Sequence, residues 1–232
     1  TWATQADPSG QDNNTGVPLG GVGFSSTDAY IVRADNVGHG HIWHWDGSNW
    51  TDVHTAAYNY TGIWARGTDD FFVSEAGGRV EEYNSGTWSF VLDSATSVPA
   101  VWVGSSSDAY LVTNSGVIRR YNASDWKTIA FTNSTITSVW ASGPNDVWVA
   151  RSQPVLLHVD STGVGGASNT GSSYGFYGVN GTSGHDIWAV GQYGQIYHND
   201  STGWTKFVDA LGINHEDLEA VCCFIVNADQ VS

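Results

Sequence analysis

Basic residues are scarce in this chain: 8 Lys and Arg stand against 23 Asp and Glu, a formal charge of −15 over 232 residues. That balance argues against a nucleic-acid backbone or an anionic membrane surface as partner. Cysteine is almost absent. The only two, Cys222 and Cys223, are adjacent, so no disulfide framework holds the fold. Neighbouring strand residues point to opposite faces, which reads as two buried thiols; a strained vicinal disulfide is the alternative. No apolar run reaches the roughly 18–20 residues that span a bilayer, so no membrane insertion is expected. Helical periodicity is missing too, and residues 214–220 offer one turn of helix at most. Methionine does not occur and the first residue is Thr1, which leads us to expect a processed or excised chain.

What remains is apolar, aromatic and small-polar. Apolar residues make up 41% of the chain and include 12 Trp, enough for a sizeable core. The informative stretch is 139–150, Val-Trp-Ala-Ser-Gly-Pro-Asn-Asp-Val-Trp-Val-Ala, in which two β-prone runs flank a turn. Versions of it recur. Asp28, Asp70, Asp108, Asp146 and Asp186 are spaced by 42, 38, 38 and 40 residues. An aromatic follows each two positions later: Tyr30, Phe72, Tyr110, Trp148 and Trp188. A second marker, a late tryptophan, stands at Trp50, Trp88, Trp126 and Trp204. Two independent markers hold the same period, the fourth unit lacking its copy of the tryptophan, which argues against coincidence.

Each period reads as four short strands with tight Asp/Asn-Gly turns such as Asp46-Gly47. Four-stranded units of this length describe β-propeller blades. The expected fold is therefore all-β, a propeller with repeats at 19–57, 58–95, 96–133, 134–173 and 174–212. A partial sixth blade built from 1–6 and 218–232 would close the single domain and cover sheet edges. The pattern Ser142-Gly143-Pro144-Asn145-Asp146-Val147-Trp148, with His44-Trp45-Asp46-Gly47-Ser48-Asn49-Trp50, resembles repeats of secreted bacterial-type β-propellers with degenerate Asp-box or WD-like blades. The likeness covers nearly the whole chain and is one of fold, which hosts many functions.

Residues repeated in register are expected to be structural. The register tryptophans, Trp64, Trp102 and Trp140 among them, would fill the space between blades, and the aspartates would accept turn N–H groups. His44, His158 and His198 share one third-strand position and would bond to a neighbouring turn. Out-of-register aromatics, Trp43, Tyr60, Tyr174, Tyr177 and Tyr193, are the candidates for stacking on a sugar. The Gly-rich run at 163–166 reads as the opening of a flexible hairpin, not a nucleotide site.

Catalytic motifs are missing: there is no nucleophile elbow, no His-Glu-x-x-His pair and no phosphate loop. Glu75 with Glu81, or Glu216 with Asp217, could supply paired carboxylates. The enzyme reading stays open on that ground but is the weaker one. The acidic excess is compatible with calcium, although no EF-hand spacing occurs, so no cofactor is expected. His39-Gly40-His41, with His44 and Asp46, is a weak metal motif. Loop variation concentrates between second and third strands and between blades, and such loops carry function. That places a candidate ligand site at His39, His41, Trp43, Glu75, Arg79, Tyr193, His215 and Glu216. The reading expected is an extracellular, secreted or cell-surface binding module, lectin-like and taking a glycan. The alternatives are a protein-interaction or self-assembling propeller, or a polysaccharide hydrolase or lyase.

Overall fold

The computed structural model describes residues 18–94, 96–105, 108–121, 125–160, 163–207 and 216–221. Cys222, Cys223, His215, residues 1–6 and most of the expected C-terminal half of a closing blade lie outside them. Among the described residues the chain forms five antiparallel sheets of four strands, each sheet following chain order. The first holds β1 (Pro18–Ser25), β2 (Asp28–Ala34), β3 (Gly40–Trp45) and β4 (Trp50–Ala56). The second holds β5 (Tyr60–Gly67), β6 (Asp70–Glu75), β7 (Arg79–Asn84) and β8 (Thr87–Asp93). The third holds β9 (Ala100–Ser105), β10 (Asp108–Val112), β11 (Val117–Tyr121) and β12 (Trp126–Phe131). The fourth holds β13 (Ile136–Gly143), β14 (Asp146–Arg151), β15 (Val155–Asp160) and β16 (Gly163–Asn169). The fifth holds β17 (Phe176–Ser183), β18 (Asp186–Gly191), β19 (Ile196–Asn199) and β20 (Trp204–Phe207). The chain divides into two compact units, Thr1–Pro99 with the first two sheets and Ala100–Ser232 with the other three.

The sheets share their irregularities as well as their strands. In all five the pairing of the first two strands slips just ahead of the repeated aspartate, between Gly23 and Ser25 in the first sheet and between Ala141 and Gly143 in the fourth. Such a bulge adds local twist and re-aims the side chains that follow it. Burial is graded across each sheet. The second strands β6 and β14 are buried from their second residue to their last, whereas β4 and β8 have no buried residue. The inner strands are apolar on both faces, and the outermost carry the polar side chains that protect an edge.

The core sits between successive sheets. In the first unit Val32, Ile42, Tyr60, Ile63, Phe71 and Val73 pack together; in the second Leu156, Phe176, Val179, Ile187 and Tyr197 do so around Trp148. Late tryptophans bridge to the preceding sheet, as the register predicts. Trp88 stacks on His54 with ring centroids 4.0 Å apart, and Trp204 meets Trp148 edge-on at 5.7 Å while donating Nε1–H to Ser168 Oγ at 2.8 Å.

The run at 163–166 departs from expectation. It belongs to β16, paired with β15 from Val155↔Asn169 to Asp160↔Gly163. Small residues carry little strand propensity of their own, but the ladder to β15 and the Trp204 contact to Ser168 supply what the side chains do not.

Candidate functional site

In the first unit, the insertion after β2 is organised by Asp35. Its carboxylate accepts the amide hydrogens of Val37, Gly38 and His39, the last at 2.7 Å, and His39 Nδ1 lies 3.1 Å from its second oxygen. Burial works to raise this carboxyl, but the amides and the imidazole outweigh it and hold Asp35 well below the usual carboxylate range. His41 donates to Asp52 at 2.6 Å. Both histidines are thus tied to carboxylates by hydrogen bonds, and no group of three or more His, Cys, Asp or Glu comes together as a metal site among the described residues.

The other first-unit candidates split by exposure. Trp43 is 5% exposed and packs in the core, with no ring face to offer a ligand. Tyr60 is likewise fully buried, its hydroxyl without a hydrogen-bond partner. Burial pushes that hydroxyl far above its ordinary range, and Glu81 and Glu75 add to the shift. Glu75 is buried as well, and burial followed by the Glu81 charge raises its carboxyl. Arg79 reaches Glu81 at 2.8 Å and Glu75 at 4.0 Å, and its guanidinium lies 5.3 Å from the centre of the Phe90 ring. The structure brings Glu75 and Arg79 together and draws Glu81 in with them, but it keeps Glu75 away from solvent.

In the second unit, Tyr193 sits in the short helical turn Gln192–Gly194 and packs on Tyr174, ring centroids 4.4 Å apart. Asp217 accepts the Tyr193 amide hydrogen at 3.0 Å, which fastens the strand-free segment 216–221, with exposed Glu216, beside it. His215 lies outside the described residues.

The repeated aspartates are structural, but their partners are mainly side chains, not the expected turn amides. Asp146 accepts from His158 Nε2 at 2.7 Å, from Trp148 Nε1 at 3.0 Å and from the Ser142 hydroxyl. Asp186 has the same set: His198 at 2.7 Å, Trp188 at 3.2 Å and the Thr182 hydroxyl. Burial works to raise the Asp146 carboxyl, yet the three donors hold it down; at Asp186 the Thr182 and His198 bonds do the same. His44 pairs with Asp28 at 2.9 Å. In the second sheet Arg66 clamps both Asp70 and Glu82 at 2.5 Å.

The third sheet departs from the pattern in its own way, and a cleft opens there. Arg120 stands where the first, fourth and fifth sheets carry histidine and the second Glu82, and Tyr110 stands where Trp148 and Trp188 do. Arg120 Nε donates to Asp108 at 3.0 Å, and its guanidinium lies 5.7 Å from the Tyr110 ring centre. The Tyr110 hydroxyl, pushed up to about 12 by burial and so a donor at neutral pH, donates to the Pro144 carbonyl at 2.5 Å. Around these groups lies a cavity of about 480 Å³ lined by Trp102, Gly104, Asp108, Arg120, Ser142, Gly143 and Pro144. Gly104 makes room for the indole: a Cβ there would meet the Trp102 ring at 2.2 Å. The cleft thus offers an aromatic wall, a guanidinium donor and a carboxylate acceptor within one hollow.

Comparison with known proteins now bears on the architecture. No family model and no curated protein matches the chain. Solved structures do. One is YCF48 bound to D1 peptide, 14% identical with a TM-score of 0.67, the match covering 85% of this chain and 69% of that one. Another is the computationally designed protein Ika8, 11% identical with a TM-score of 0.58, covering 80% of this chain and 58% of the design. Both are propellers. This chain folds as a β-propeller. It spans less than two thirds of the designed propeller and slightly more of YCF48. At such identities the likeness carries the fold alone, and that fold hosts many functions.

None of the cleft residues belongs to the site picked from sequence. The loops of the propeller that vary most pointed to the other side of the blades, and Trp102 was assigned to packing by its register. A signal was present nonetheless: Arg120, like Glu82 in the second unit, departs from the histidine held at that position by His44, His158 and His198.

Proposed function

We propose that this propeller is a binding module and that its ligand is a carbohydrate held in the cleft between the third and fourth blades. The observation that carries the reading is the conjunction of the Trp102 indole with the Asp108–Arg120 pair in one open cavity. Sugar rings present an apolar face that stacks on an aromatic wall and hydroxyls that need both donors and acceptors; this hollow supplies all three. The absence of a catalytic motif in the sequence and the burial of Glu75 favour binding over hydrolysis. A secreted or cell-surface setting goes with this reading.

A glycan array followed by titration tests it. The expected result is selective binding that drops at least about tenfold in Trp102→Ala, the order of a lost ring contact, while the thermal midpoint shifts little. Uniformly blank arrays at high protein concentration, or full binding by the variant, would sink the reading. The peptide carried by YCF48 favours a second reading, a protein partner. In that case the same cleft takes a peptide segment, an apolar side chain lying against Trp102 and Pro144, and a peptide library replaces the array as the source of ligand.

A further inference from the structure

We propose that Tyr174 and Tyr193 form a docking platform for a basic polypeptide segment, with a lysine or arginine side chain seated on the two rings. The site goes beyond the cleft and shares no residue with it. Large exposed aromatics are ordinary when scattered singly; here two meet. Tyr174 is 46% exposed and Tyr193 54% exposed, yet the rings are in contact with each other rather than folded into the core.

The backbone beneath them is built to hold that pose. Tyr193 lies in the left-handed region at φ 57°, which a non-glycine residue rarely occupies, followed by Gly194 at φ 68°. Its amide is held by Asp217, and the Gly191 carbonyl accepts the Leu218 amide hydrogen at 3.0 Å. On the other side the Tyr174 carbonyl accepts from Ser172 Oγ at 2.9 Å and from Gln195 Nε2 at 3.2 Å. The buried Gln195 amide also donates to the Gly175 carbonyl at 2.7 Å, and the Gln192 side chain accepts the Gly175 amide hydrogen at 3.1 Å. Both tyrosines therefore stand on pinned backbone and lose little freedom when a partner arrives.

Charge selects the partner. Aromatic faces attract cations, and the segment fastened beside the platform carries Glu216, Asp217 and Glu219, all exposed. The whole chain bears −15. Negative potential and ring faces together suit a positively charged side chain, and a segment with several of them gains most from both.

The test uses the full chain with a fluorescent peptide of alternating lysine and glycine, its arginine counterpart, and the lysine peptide fully acetylated. Tyr193→Gly removes the ring while keeping the left-handed backbone open to the residue, and Trp102→Ala serves as the control for the cleft. We expect the lysine or arginine peptide to bind, acetylation to abolish binding, Tyr193→Gly to weaken it about tenfold, and Trp102→Ala to leave it unchanged. Binding that is equal in Tyr193→Gly and wild type marks general attraction to an acidic protein and overturns the proposal, as does no binding by either basic peptide. Loss of glycan binding in Trp102→Ala alone bears on the cleft and not on this surface.

Discussion

The third blade and the two that follow it start from the same plan and end differently. In the fourth and fifth, one aspartate gathers a histidine, a tryptophan and a hydroxyl around it, so that three donors converge on one carboxylate. In the third, arginine and tyrosine take the places of histidine and tryptophan, the aspartate keeps Arg120, and the vacated volume opens beside Trp102. A repeat protein can thus open a hollow where one blade departs from its neighbours.

The largest effect expected from that contrast is on stability. Asp146→Ala removes the acceptor of three donors, His158, Trp148 and Ser142, each of them partly open to water, and should cost about 1.5–2 kcal/mol. Asp108→Ala removes a single ion-pair partner from Arg120 and should cost about 1 kcal/mol. Urea unfolding of the two variants measures the difference; equal losses would break the comparison. A smaller effect should appear in acid. The Asp146 and Asp186 carboxyls are held below their ordinary 3.8, so the stability they contribute is fully present above that value and is lost as pH falls through their depressed folded values. Thermal midpoints recorded between about pH 4 and pH 2 should therefore fall more gently in Asp146→Asn than in wild type, from a lower starting point. The smallest shift in stability is expected for Arg120→His, which restores the repeat: about 1 kcal/mol or less in either direction. Its value lies in the binding assay, where filling in the missing histidine should remove the cleft's donor and abolish glycan capture.

Much of the architecture could be read directly from spacing, because the aspartate opens the second strand and the aromatic follows it in every blade. The Gly- and Ser-rich β16 gives no strand signal of its own, because strand identity there comes from its pairing with β15 across their hairpin. Trp43 and Tyr60 looked free of the register, yet both fill the core of the first unit; alternation within β3 and β5 hides them. Tyr193 and Tyr174 are exposed and in contact with each other, an adjacency that nothing in their spacing announces. The cleft was harder to see. Its lining comes from two blades, with Trp102 and Pro144 separated by more than a full period, and adjacency of that kind is set by how blades stack and not by any motif along the chain.

The tryptophan that ends the fifth blade reaches back to cover Trp148 and Ser168 of the fourth. A truncation ahead of Trp204 would therefore strip more than its own sheet: it would bare the flank of the predecessor and leave the Ser168 hydroxyl to water. Damage should spread toward the amino end, blade by blade, as when the last slate is lifted from an overlapping roof.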